Sequence, residues 1–269
     1  MATILLVHGG WVWGGIRSAL AALGNVVHAP CLHGLGEDAA NLHQEIGLWI
    51  HIDDLEALIV ERTMGDVILV GHSYEGTVVH GLEGRITSRL SAVIHLEGAI
   101  PEPGSSIMDS WREDYRLEIM ALADAHHGWL VPPPDPGIWT GLDEDQRKWI
   151  RPKLWPQSLR TFQDVMPDDL TSFTGPHIYL WARDRPTQPY RAVVERFLHE
   201  PNWTISKTKG GHELPLTNPK AVEGRLQLIV DGSLAFARMA KEELSPLARL
   251  DHWPVDQVSS RSRRSAARQ

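Results

Sequence analysis

The chain has 269 residues, 42% hydrophobic and 22% charged, with a formal net charge of −8. That length suits one large α/β domain with a sizeable core and is short for two. The balance excludes general disorder, and with no basic stripe through the main body it speaks against nucleic acid as a partner.

Cys31 is the sole cysteine, which excludes an intramolecular disulfide and a cysteine-based zinc cluster. Met1-Ala2-Thr3 runs straight into the apolar Ile4–Val7 without the basic n-region of a secretory signal. No stretch of about 18 apolar residues occurs. A cytoplasmic protein with no membrane contact is expected; a homodimer is left open.

Apolar, β-branched runs recur in chain order, each ending at glycine or a polar turn: Thr3–Val7, Val26–Ala29, Val67–Val70, Ala92–Leu96, His177–Trp181 and Trp203–Lys207. Such continuous runs suit strands covered on both faces. Helical patterns alternate with them at Trp13–Leu23, Asp53–Arg62, Tyr74–Leu82, Pro189–Leu198 and Pro219–Met239. The alternation predicts an α/β fold with about six mostly parallel strands flanked by helices.

The rhythm breaks between Gly98 and Pro176, where no strand is evident. Helical patches at Ile107–Ala125 and Glu144–Ile150 surround Pro132-Pro133-Pro134. A structureless loop of that length is improbable in a compact domain, so a mostly helical cap over 99–175 is expected, inserted after the fourth strand. The core is then 1–98 with 176–242. The tail, 243–269, carries Arg261, Arg263, Arg264 and Arg268 and is expected to be disordered at its end.

Three turns carry the chemistry. In Val67-Ile68-Leu69-Val70-Gly71-His72-Ser73-Tyr74-Glu75-Gly76 a buried strand ends at a glycine, a serine follows two residues on, and a helix begins. That is the form of a nucleophile elbow, with Ser73 exposed at the C-terminal edge of the sheet beside a helix N-terminus. The usual G-x-S-x-G pattern is broken by Glu75, the small residue arriving at Gly76. Glu75 either accompanies a locally adjusted turn or points into the site. The second turn, His8-Gly9-Gly10-Trp11 after the first strand, suits an oxyanion hole built from the Gly10 and Tyr74 N–H groups.

The third turn, Lys209-Gly210-Gly211-His212-Glu213, follows the last strand and makes His212 the candidate base, one of 14 histidines and the one placed last in the order serine, acid, histidine. The acid is expected at Asp184, after the strand at His177, with Glu97 at the end of the preceding strand as its rival. Asp164, Asp168 and Asp169 read as solvated. His8, His126 and His127 show no metal-ligand spacing, so no metal is expected.

Taken together the sequence resembles the α/β-hydrolase superfamily, and within it the branch of small bacterial esterases, plant methyl-ester esterases and hydroxynitrile lyases. The resemblance rests on His8-Gly9-Gly10-Trp11, Leu32-His33-Gly34-Leu35-Gly36-Glu37, Gly71-His72-Ser73-Tyr74, Pro101-Glu102-Pro103-Gly104, Gly128-Trp129, Arg183-Asp184-Arg185 and Gly211-His212. It implies an α/β-hydrolase fold, a triad of Ser73, Asp184 and His212, an oxyanion hole at Gly10 and Tyr74, a helical cap and no cofactor.

The expected activity is a serine esterase acting on a carboxylic ester or lactone through an acyl-enzyme. Eleven tryptophans stand against four phenylalanines, and Trp111, Trp129, Trp139, Trp149 and Trp155 all fall in the expected cap. Trp129 and Trp139, with Trp11 and Glu75, are the pocket candidates for a hydrophobic or aromatic substrate; the others serve to pack the cap. A hydroxynitrile-lyase-type enzyme and a weakly catalytic small-molecule receptor are the alternatives.

Overall fold

A computed structural model describes residues 1–8, 12–185 and 188–232. Six strands form one all-parallel sheet in the order β2-β1-β3-β4-β7-β8. They are β1 (Thr3–Val7), β2 (Val26–His28), β3 (Val67–His72), β4 (Leu90–Leu96), β7 (His177–Ala182) and β8 (Trp203–Thr208). Every expected strand is present, within two residues at each end.

Alternation along the strands divides the core. Ile4, Leu6, Ile68, Val70, Ile94 and Leu180 pack with α1 (Gly14–Ala22) and α9 (Pro219–Val230) on one face. Leu5, Val7, Leu69 and Val93 pack with α2 (Leu48–Glu61) and α3 (Glu75–Glu83) on the other. Beside them Tyr179, Trp181 and Ile205 cover Val194 of α7 (Arg191–Phe197). A parallel sheet buried on both sides is why its strands read as continuous apolar runs. The helix expected to reach Met239 is described only to Val230; its remainder, the tail and the disorder expected there lie outside the described residues.

The α2 helix begins five residues earlier than its periodicity suggests. Its first N–H, at Leu48, donates to Asp164 Oδ2 at 2.9 Å. Gly47 stands where a Cβ would collide with that carboxylate. A helix N-terminus needs acceptors for its free N–H groups, and here the acceptor comes from far along the chain. Asp164 is therefore a capping group, not the solvated side chain expected.

Between β4 and β7 the chain is mainly helical. It holds α4 (Glu113–Ala125), α5 (Glu144–Ile150), α6 (Arg160–Gln163) and short 3-10 turns. Asp143 and Gln146 cap α5 reciprocally. The stretch does contain strands, which the sequence pattern does not reveal: β5 (Leu130–Val131) and β6 (Gln157–Ser158) pair antiparallel. Two residues each are too few to produce a period-2 signal. The short α8 (Leu214–Thr217) follows the loop after β8.

Candidate active site

Between the end of β3 and the start of α3, Ser73 and Tyr74 make the turn. Ser73 has φ +56°, a conformation that costs a non-glycine residue about 1–3 kcal/mol and persists only where its surroundings impose it. They do: the Ser73 N–H donates to Leu96 O at 3.3 Å, and the Ser73 carbonyl accepts from Gly76 N–H at 3.0 Å and Ala99 N–H at 2.9 Å. A side chain at Gly71 would strike the Glu75 carbonyl and Val79. One at Gly76 would strike the backbone of Gly98. The close approach in this turn thus falls at Gly76, which leaves position 75 free to carry a larger residue.

On the far side of the site, the loop after β8 brings His212 to the serine. His212 Nε2 lies 2.9 Å from Ser73 Oγ. The loop is held close: Gly211 packs against the Thr140 carbonyl with no room for a Cβ, and the His212 carbonyl accepts from His72 Nε2 at 3.0 Å. Burial first, and then the Arg185 cation, push the His212 imidazole down to about 3. It is neutral at ordinary pH and able to accept a proton.

The carboxylate beside His212 is that of Glu97. Its Oε2 lies 3.5 Å from His212 Nδ1; its Oε1 accepts the Ala182 N–H at 2.6 Å. Glu97 directly follows β4 with φ +47°, a second strained position in the same cleft. Burial pushes its carboxyl up to about 7, against the pull of Arg185 and the Ala182 N–H. Asp184, expected here, is turned away. Its Oδ2 accepts Gly210 N–H at 3.0 Å and its Oδ1 accepts Arg183 Nε at 3.0 Å, with the side chain 41% exposed. The position that Asp184 vacates beside His212 is taken by Arg185, whose Nη1 lies 2.7 Å from Glu97 Oε2 and 3.3 Å from His212 Nδ1.

Glu75 is buried and lies close enough to Glu213 for the two to repel; burial first raises each carboxyl, to about 8. Both are uncharged at neutral pH. Glu213 Oε2 and His72 Nδ1 are buried with no hydrogen-bond partner. His72, His212 and Glu213 each offer a donor atom within 4.8 Å of the others, the one such trio among the described residues. His212 is already bonded to Ser73, so a cation there would take the imidazole from the serine.

Of the other expected residues, Tyr74 turns its phenol away from the serine to His51 Nδ1 at 2.8 Å, leaving its backbone N–H at the head of α3. Trp129 and Trp139 are half-buried. Trp139 precedes Thr140, which touches the His212 loop and donates to the Asp184 carbonyl at 3.3 Å. Gly10 and Trp11 lie outside the described residues. Three residues not singled out in the sequence join the site. Arg185 and Glu213 had a faint signal, each a charge directly beside a candidate at a buried strand end. Tyr190 had none: its ring stands 6.0 Å from the His212 ring and its phenol reaches the Ser73 hydroxyl.

A family model described as the alpha/beta hydrolase family matches residues 4–225. The chain belongs to the alpha/beta hydrolase family. It is 29% identical over 242 residues to a carbendazim hydrolyzing esterase of Nocardioides sp. (strain SG-4G), covering 84% of this chain and 98% of that one. Among solved structures, an extracellular α/β-hydrolase from a Paenibacillus species superposes with a TM-score of 0.73 at 19% identity, covering 87% of this chain and 100% of that one. An Arabidopsis methylesterase does so with a TM-score of 0.64 at 17% identity, covering 86% and 99%. This family member thus has a relative named as an esterase and shares its fold with a plant methylesterase.

Proposed function

We propose that this hydrolase is a serine esterase, cleaving a carboxylic ester or lactone of a hydrophobic or aromatic small molecule through an acyl-enzyme. The observation that carries the reading is the 2.9 Å contact between His212 Nε2 and Ser73 Oγ, within the reach a base needs to take the hydroxyl proton. Ser73 Oγ attacks the ester carbonyl as its proton passes to His212. The oxyanion is received by backbone N–H groups, with Tyr74 N–H at the head of α3 and Gly10 N–H as the donors we assign. His212 returns the proton to the departing alcohol. Water, deprotonated by His212, then releases the acid and restores Ser73.

Glu97 is the acid in this reading. A triad carboxylate holds the imidazole tautomer and stabilises the imidazolium as it forms, and Glu97 is the carboxylate facing Nδ1. The helical segment between β4 and β7 serves as a cap, with Trp129 and Trp139 as its pocket members. Support for an ester comes from the relatives' names, and for an apolar substrate from the tryptophans.

Wild type and Ser73→Ala are to be compared on p-nitrophenyl acetate and butyrate, with fluorophosphonate labelling of each. Turnover and labelling by wild type, lost about 10⁴-fold or more in the variant, are expected. A wild type that neither labels nor turns over would refute the reading.

A further inference from the structure

We propose that Arg185 is a positioning residue for the reaction of Ser73, holding the Glu97 carboxylate ionised and aimed at His212 Nδ1. The proposal rests on the reading of Ser73, His212 and Glu97 given above.

Burying Glu97 is costly. Its side chain is wholly inaccessible to solvent, and an isolated buried carboxylate neutralises itself by taking a proton. A protonated Glu97 could no longer stabilise an imidazolium. Two groups on this chain counter that: the Ala182 N–H on Oε1 at 2.6 Å, and Arg185 Nη1 on Oε2 at 2.7 Å. Arg185 is the only full charge of the two, and a charge-assisted bond of that length is the stronger kind. The guanidinium is itself held, 5.5 Å from the centroid of the Tyr190 ring.

The same nitrogen faces His212. Arg185 Nη1 is 3.3 Å from Nδ1, and Glu97 Oε2 is 3.5 Å from it. Arg185 can donate to Nδ1 only while Nδ1 is bare; Glu97 can accept from it only when it carries hydrogen. In the tautomer that lets Nε2 accept the serine proton, Nδ1 bears the hydrogen and turns to Glu97, while Arg185 keeps its bond to the carboxylate. Arg185 also opposes a positive charge on the resting imidazole, so the base stays free until the reaction charges it.

Removing the cation moves both groups the same way. Glu97 loses its counter-ion and gains a proton at higher pH; His212 loses a repelling neighbour and does likewise. The other groups facing this trio are His72 at the end of β3, Glu213 after β8, Tyr179 on β7 and Tyr190 before α7. His8 after β1 faces His212 and His72. All of them remain in an Arg185 variant.

The test is the pH dependence of kcat/KM on p-nitrophenyl butyrate for wild type, Arg185→Gln, Arg185→Met and Arg185→Lys, with circular dichroism and thermal melting as the check on folding and fluorophosphonate labelling of wild type as the check on the nucleophile. The acid limb is expected to move up by about 1–3 pH units in the neutral variants, with activity recovering toward alkaline pH, and to return toward wild type in Arg185→Lys. A purely structural role would scale activity alike at every pH, and an unmoved limb in a folded neutral variant overturns the proposal. So does a failure of both neutral variants to fold while Arg185→Lys folds with the wild-type limb. If wild type itself neither labels nor hydrolyses, the serine-esterase reading falls and Arg185 with it; if wild type does both, only the Arg185 assignment is at stake.

Discussion

Glu97 Oε2 stands 3.5 Å from His212 Nδ1, while the Asp184 carboxylate, one strand over, bonds Gly210 N–H instead. Both side chains follow parallel strands that end at the same edge of the sheet. Glu97 follows β4 and turns inward; Asp184 follows β7 and turns to the surface.

This difference predicts a clean division between two conservative variants. Glu97→Gln keeps the shape but cannot stabilise an imidazolium, and is expected to lower kcat by about 10²–10⁴-fold. Asp184→Asn is expected to cost less than about 10-fold. Steady-state kinetics on p-nitrophenyl butyrate decide; a large loss in Asp184→Asn with a small one in Glu97→Gln would return the acid to Asp184.

The uncharged pair Glu75 and Glu213 gives a prediction about stability. Each carboxyl is raised in the folded protein to about 8, above an unfolded value of about 4.3. The folded state holds these protons longer than the unfolded one, so their favourable contribution is complete below about pH 4.3 and is lost as pH rises through about 8. Glu75→Gln and Glu213→Gln remove that loss. Each is expected to raise Tm by about 2–8 °C at pH 8 and to leave it nearly unchanged at pH 4. Thermal melts at the two pH values test this, and a lower Tm at pH 8 would contradict it.

A second buried network lies away from the serine and titrates the other way. Glu83 accepts from His177 Nε2 at 2.7 Å and His80 Nδ1 at 3.1 Å. Burial alone would raise its carboxyl, but the two histidines overcome that and hold it down to about 2. Its contribution is present above about pH 4.3 and is lost as pH falls through about 2. Wild-type Tm is expected to fall steeply over that window. Glu83→Ala is expected to cost about 3–5 kcal/mol at pH 7 and to flatten the acid slope; equal slopes in the two proteins would count against the network.

The sequence by itself determined the six-stranded parallel sheet, because strands covered on both faces must be apolar throughout and the helices between them must show one apolar stripe. It also determined the positions of Ser73 and His212. Gly71 and Gly211 mark places where a backbone approaches too closely for a Cβ, and such places are written as glycine. Tertiary structure alone decided the neighbour of His212. Glu97 and Arg185 meet it because β4 and β7 are adjacent in the sheet, and the direction a side chain takes at a strand end depends on φ and on packing that no local pattern records. The same holds for the start of α2, fixed by Asp164 from across the fold. For Glu75 the reason is again packing: the close contact of α3 with Gly98 falls at Gly76, and only that contact left room for a buried carboxyl in the elbow.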